Sequence, residues 1–250
     1  MKRAIHSLFK LLGYRVVRVE DSDAGGPCAS ERLGPLLAAL RELGFAPRHI
    51  VDVGANHGLW TREAITFFPD AHYTLVEPQD ELKRDIQDLL GRGCKIVWVN
   101  AAAGDRAEVL PFTIAKRDDS STLSLSEKEA TDAGLRRVPV EVKTLNEIVG
   151  ASGLPCPEMV KIDAEGFDLK VLAGASELFG KTEVFLVEAA VCCNNENSVA
   201  RVVQFMCGAG YRLLDVMSLN RSPKHNVLWV CELAIIRNES PLLDAVKSYE

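Results

Sequence analysis

The sequence predicts an α/β fold in which a mostly parallel sheet carries helices on both faces. Three observations predict it. From residue 49 onward short apolar runs alternate with longer amphipathic ones, each apolar run ends in glycine, proline or acidic turn residues, and the last two apolar runs follow one another with no helical pattern between them. Strands separated by helices form parallel βαβ units that are buried on both faces. Two strands without a crossover helix pair antiparallel, here at one sheet edge.

Each element has its own pattern. HIVDVGA, residues 49 to 55, is a continuous apolar run bounded by a turn and reads as a buried strand; LWTREAITFFPD, 59 to 70, is an amphipathic helix stopped before Pro69; YTLVEP, 73 to 78, is a second strand. QDELKRDIQDLLGRG places Leu82, Ile86, Leu89 and Leu90 on one helical face, with acids in the first turn and Gly91 as its stop. Residues 96 to 104 make a third strand. Residues 109 to 114 and 138 to 145 alternate as an antiparallel pair, and strands at 158 to 166, 184 to 190, 211 to 216 and 226 to 236 are separated by helical runs at 167 to 179 and 197 to 209. The polar stretch between the paired strands holds Asp118, Asp119, Ser120, Ser121 and Thr122. Its length and hydroxyls mark it as a lid or substrate-reading loop.

Residues 48 to 238 therefore form one domain, preceded by an N-terminal helical segment, 1 to 47, and followed by a tail, 239 to 250. A net charge of −6 and a pI near 5.5 argue against nucleic acid, which needs a concentrated basic face. Seven scattered cysteines with no C-x-x-C pair read as reduced thiols in a cytoplasmic protein rather than a zinc site or disulfide framework. No apolar run reaches the roughly 18 residues of a membrane span. In the first segment Ile5, Leu8, Phe9 and Leu12 share a helical face, with Lys2, Arg3 and Lys10 outside it. That face suits docking on the body of the protein or on a second subunit, as in a homo-oligomer. Peripheral contact with an anionic membrane uses the same pattern, but a short helix with few aromatics is a weak anchor.

Ligands of such sheets sit beyond the carboxyl ends of the strands, where strand order reverses. The residues there are Asp52, Gly54, Asn56 and Gly58 after the first strand, Glu77 after the second, Asn100 after the third, Asp163 and Glu165 after the fourth and Glu188 after the fifth. The phosphate-cradling G-x-x-x-x-G-K-[ST] pattern is absent, and Asn56 stands where the second glycine of G-x-G-x-x-G would admit a pyrophosphate. A nicotinamide dehydrogenase is disfavoured on the same ground. Glu77 follows Gly58 at the distance where a second-strand acid takes ribose hydroxyls. S-adenosylmethionine fits both features, with a ribose diol for a carboxylate and cationic groups for an acidic rim.

V-D-V-G-A-N-H-G-L-W-T, V-E-P, V-N-A-A-A-G-D, T-L-N and V-K-I-D-A-E-G-F-D-L-K-V-L-A-G-A, in that order across about residues 48 to 235, resemble the FkbM family of S-adenosylmethionine-dependent methyltransferases. The resemblance implies a class I methyltransferase, Rossmann-like fold with a seven-stranded sheet, and O-methylation of sugars, glycans or natural products. It assigns Asp52, Gly54, Asn56 and Gly58 to the methionine side of the cofactor, Glu77 to its ribose, Asn100 and Ala101 to the adenine, and Asp163 and Glu165 to the transferring methyl. The family commonly has Thr-Leu-Asp where Thr144, Leu145 and Asn146 stand, a place suited to a structural turn.

Methyl transfer to an alcohol needs in-line placement and a base for the hydroxyl proton. The carboxylates available are Asp163, Glu165 and Glu188, with Asp163 the first choice as base or substrate anchor. Asp163 and Glu188, helped by Asn194 or Asn195, could instead hold Mg²⁺ through hard oxygen ligands. The alternatives to O-methylation are N- or C-methylation, or a cofactor-binding protein without catalysis. His57 and His72 lack a second ligand at metal spacing, and His225 belongs to a hairpin loop.

Overall fold

The computed structural model describes residues 30–90, 96–116, 120–192 and 196–246. The Ile5, Leu8, Phe9 and Leu12 face, Gly91, Asp118, Asp119, Asn194 and Asn195 lie outside those residues. Chain order is α1 (Ser30–Glu42), β1 (His49–Val53), α2 (Leu59–Phe67), β2 (His72–Val76), a 3-10 helix (Asp80–Ile86) running into α3 (Gln87–Leu90), then β3 (Ile96–Val99), β4 (Ala102–Ala103) and β5 (Glu108–Ile114). It continues through α4 (Glu127–Asp132), β6 (Arg136–Lys143), α5 (Leu145–Ala151), β7 (Met159–Ile162), α6 (Asp168–Ala173), β8 (Val184–Ala190), α7 (Val199–Gly208), β9 (Tyr211–Arg221) and β10 (Leu228–Arg237).

The main sheet has seven strands in the order β3-β2-β1-β7-β8-β10-β9. β3, β2, β1, β7 and β8 run parallel, and β10 is antiparallel to both β8 and β9. The chain winds outward from β1 to β3 and then returns to β7 on the other side of β1. Strand order therefore reverses between β1 and β7, which places the ligand crevice at their carboxyl ends.

Side-chain alternation divides the core between the two faces. Ile50, Met159, Leu186 and Ala234 pack on one face beneath α1, whose Leu33, Leu36, Leu37 and Leu40 form a buried stripe at helical spacing. Val51, Val160, Phe185 and Leu233 pack on the other. Toward the carboxyl ends of β1, β7 and β8 the apolar columns of the α1 face give way to Asp52 paired with Lys161 and, one register step beyond, to Glu188 paired with Glu232. Two polar rows thus lie on an otherwise apolar face at its functional end.

Several local expectations change. The third strand stops at Val99, because the Asn100 side chain turns back to donate to the carbonyls of Glu77 (3.2 Å) and Pro78 (3.0 Å). Ala102 and Ala103 pass into a separate three-stranded sheet, ordered β4-β6-β5. Ser126 and Glu129 form a reciprocal capping box that starts α4 inside the stretch read as loop. Thr144 and Glu147 do the same for α5, ending the preceding strand at Lys143 rather than residue 145. Asn146 spans to the turn after α6, donating to Ser176 Oγ (2.9 Å) and accepting from the Glu177 N–H (3.0 Å), which is a structural task. In the final pair only β9 is at the edge, since β10 lies between β8 and β9. The segment read as a tail packs down through Leu242, which is buried in the core.

Candidate cofactor and acceptor site

The turn after β1 is shaped by close approach. Gly54 has φ +71°, and a Cβ there would collide with the carbonyl oxygen of Asp163. Asn56 also occupies the left-handed region, at φ 46°, where asparagine is tolerated because its side chain can bond locally. Its Oδ1 accepts from the His57 N–H at 2.7 Å, and its own N–H donates to Glu77 Oε2 at 3.0 Å. The other oxygen of Glu77 accepts from the Gln79 N–H at 3.0 Å. Glu77 is only 4% exposed, and burial raises its pKa against the opposing pull of those two N–H groups. Oε1 also has a long contact from the Gln79 side-chain amide, 3.4 Å, while Oε2 keeps a second lone pair for a ligand hydroxyl.

A cavity of about 640 Å³ opens over this corner. Glu77 and Asn56 line it, and Ala101, Ala102, Phe112 and Phe167 supply apolar lining suited to a purine. Ser121 and Leu123, from the polar stretch, line it too. Thr122 is held in place: Thr113 and Thr122 bridge as antiparallel partners, and Thr122 Oγ1 donates to the Glu165 carbonyl at 2.7 Å. Together, the colliding Gly54 position, the pinned acid and the alanine wall fit an adenosyl group.

A second cleft, of about 1080 Å³, lies on the α1 side. It shares Gly54, Asn56 and Asp163 with the first cavity. Leu33, Trp60 and Val230 give it apolar walls; Lys161, Glu188 and Glu232 reach it from the two polar rows. Lys161 is 5% exposed, and its Nζ lies 3.3 Å from Asp52 Oδ1, 3.4 Å from Asp163 Oδ2 and 3.1 Å from the Gly54 carbonyl. Burial opposes its charge, but the carboxylates of Asp163, Asp52 and Glu232 outweigh that and hold its pKa above the ordinary lysine value. The ammonium ties the ends of β1 and β7 together and keeps Asp163 in an ion pair.

The residues expected at the site separate into three groups. Gly54, Asn56, Glu77, Ala101, Asp163 and Glu165 line the first cavity, and Glu188 lines the second. Asp52, Gly58 and Asn100 line neither. Asp52 is fully buried, accepts from Thr61 Oγ1 at 2.6 Å and pairs with Lys161, so it holds the turn from beneath. Gly58 has φ +72° and faces Ile86, whose Cγ2 would be 2.7 Å from an added Cβ, so it packs the start of α2. Asn100 secures the exit of β2, as its two carbonyl contacts show. Glu188 also sits within β8 rather than past its end.

Lys161, Asp168 and Glu232 were missed. Asp168 accepts from the N–H groups of Ala164 (2.8 Å) and Gly166 (3.1 Å) and from Asn197 Nδ2 (2.7 Å), which shapes the loop carrying Glu165. Burial pushes its carboxyl up to about 7. Lys161 and Glu232 are lone charges inside apolar strands, in MVKI and VCELAII, and that pattern was the available signal. Asp163, Glu165 and Glu188 each place an oxygen within 4.8 Å of the others. A divalent ion would fit this group poorly, because the fixed Lys161 ammonium already occupies one side of Asp163. Among the described residues, no helix is long and apolar enough to cross a membrane.

Comparison with known proteins agrees with this geometry. The model of the methyltransferase FkbM domain matches residues 52–213. A methyltransferase FkbM from Methylobacillus flagellatus KT superposes with a TM-score of 0.51 at 15% identity, over 74% of this chain and 43% of that one. The chain thus spans less than half the length of that protein. Magnesium protoporphyrin IX methyltransferase from Synechocystis PCC 6803, with bound SAM, superposes with a TM-score of 0.50 at 11% identity, over 94% of this chain and 96% of that one. No curated protein matches the sequence. With the family model covering most of the chain, from Asp52 in β1 into β9, the protein belongs to the FkbM methyltransferase family and is an S-adenosylmethionine-dependent methyltransferase of the class I fold.

Proposed function

We propose that the protein methylates a hydroxyl group of a sugar, glycan or natural-product acceptor. The observation that carries the reading is the shared lining: Gly54, Asn56 and Asp163 face both cavities, so a donor in the first and an acceptor in the second meet at those residues. Bound in the first cavity, S-adenosylmethionine supplies a methyl group on a positively charged sulfur.

Glu77 holds the ribose, and the alanine wall the adenine. The Gly54 to Asn56 turn leaves backbone bare for the methionine tail, and Asp163 marks the point of transfer. In the second cavity Asp163 accepts a hydrogen bond from the acceptor hydroxyl and takes its proton as the oxygen forms its bond to the methyl carbon. The cofactor would supply that methyl carbon, its sulfur keeping the electron pair of the broken carbon–sulfur bond. Lys161 holds Asp163 in position through their ion pair. The apolar walls of both cavities limit competing water.

A screen of hydroxylated acceptors with isotopically labelled methyl donor tests this. The label should appear as a methyl ether; label on nitrogen or carbon, or none with any acceptor class, would overturn the assignment. Chelation with EDTA should leave the rate unchanged.

A further inference from the structure

Glu188 and Glu232 are direct register partners across the antiparallel strands β8 and β10, and both line the second cleft. Like charges directly opposite one another in a sheet are unfavourable. Their surroundings make the arrangement more so. Burial, reinforced by the charge of Asp163, pushes Glu232 up to about 7 and Glu188 well above the usual carboxylate range. The neighbouring cation is engaged, since Lys161 serves Asp52, Asp163 and the carbonyl of Gly54. Glu232 has a long contact with Ser218 Oγ, 3.4 Å, and the carboxyl of Glu188 has no hydrogen bond or ion pair among the described residues.

A deeply set carboxyl facing a cavity without a partner is uncommon in a folded protein. The cleft thus offers two acceptors of positive charge. It offers an anion little, because among the described residues its only other basic lining group, His57, has Nδ1 2.7 Å from Asp85 Oδ2.

Resting on the methyl-transfer reading above, we propose that the cleft takes an acceptor bearing a protonated amine beside the hydroxyl to be methylated, such as an amino sugar or an aminated natural product. The ammonium lies between Glu188 and Glu232, and the carbon frame lies against Leu33, Trp60 and Val230. Asp163 and Glu188 carry oxygens within 4.8 Å of each other, so a hydroxyl on the first and an ammonium on the second belong close together on one carbon frame, and neighbouring carbons meet that spacing. The amine is the handle and the hydroxyl is the nucleophile.

Three compounds on one frame test the proposal by calorimetry: trans-2-aminocyclohexanol, cyclohexane-1,2-diol and trans-2-hydroxycyclohexanecarboxylate. Each is titrated into the full chain alone and into the chain saturated with S-adenosylhomocysteine. The amino alcohol should bind at least tenfold more tightly than the diol, and the carboxylate should give no binding heat. Glu232→Gln and Glu188→Gln, isosteric and each checked by its melting curve, should each remove the preference and leave the diol unchanged. Equal affinity for amine and diol, or a preference surviving in either folded variant, would overturn the proposal. So would Mg²⁺ binding that depends on Glu188 together with no amine preference, which would assign the carboxyls to a metal. Failure of S-adenosylhomocysteine to bind would count against the methyl-transfer reading, while the preference of the chain alone would still decide the proposal.

Discussion

Glu77 and Glu188 are both sunken carboxyls, one on each side of the Gly54 to Asn56 turn, and the chain treats them differently. Glu77 receives two backbone N–H groups, from Asn56 and Gln79, and so is held in one orientation before any ligand arrives. Glu188 receives none, stands opposite another acid and faces open space. The first arrangement belongs to a group whose ligand is constant, and prior hydrogen bonding reduces the ordering needed on binding. The second belongs to a group whose partner comes with the acceptor. The difference separates the part of the site common to a methyltransferase from the part that selects a substrate.

The largest effect should come from disturbing the turn between them. Gly54→Ala places a methyl group against the Asp163 carbonyl at a left-handed φ, and should abolish S-adenosylhomocysteine binding or folding at a cost of at least about 3 kcal/mol. An unaffected variant would show that the turn is not the close approach described. Asp163→Asn should come next, lowering turnover about 100-fold or more while cofactor affinity changes little. Turnover within threefold of the parent would remove Asp163 from the role of proton acceptor. Glu77→Ala should weaken S-adenosylhomocysteine tenfold or more, since the ribose pair is worth ~1.5 to 3 kcal/mol. If Glu188→Ala weakened it equally, the contrast between the two carboxyls would fail.

A smaller effect concerns pH. Glu232 has an ordinary pKa of 4.5 and lies at about 7 in the folded chain. Between those values the folded form keeps a proton that the unfolded form releases, so stability is fully present below about 4.5 and declines as pH rises through 7. Glu232→Gln should therefore melt a few degrees above the parent at pH 8, with the gap closing toward pH 5. A gap that widened on acidification would contradict the assignment. The smallest effect is expected away from both carboxyls. Thr144→Ala loses the cap of α5 and should cost about 1 kcal/mol of stability, with ligand affinities unchanged.

The parallel sheet and the turn after β1 were legible because their signals are local. An apolar run, a glycine and an acid at ribose spacing lie close together along the chain, and the resemblance to the FkbM family rests on the same segments. Functional geometry made by tertiary contacts was harder to read. Asp52 stands in the motif yet turns beneath the strand to Lys161, a partner 109 residues away whose pairing depends on the β1–β7 register. Gly58 and Asn100 have the right residue types at strand ends, but their contacts are Ile86 and two main-chain carbonyls. Glu232 required knowing that β10 inserts between β8 and β9, since an edge position would not have set it opposite Glu188. The helices α4 and α5 were within reach, as both begin with a Ser or Thr followed three positions later by Glu.

Calorimetric titration of the unmodified chain with S-adenosylhomocysteine tests the central claim most directly. Saturable binding to one site per chain, weakened tenfold or more by Glu77→Ala, is the predicted result. No binding by a chain shown to be folded would contradict the account of both cavities.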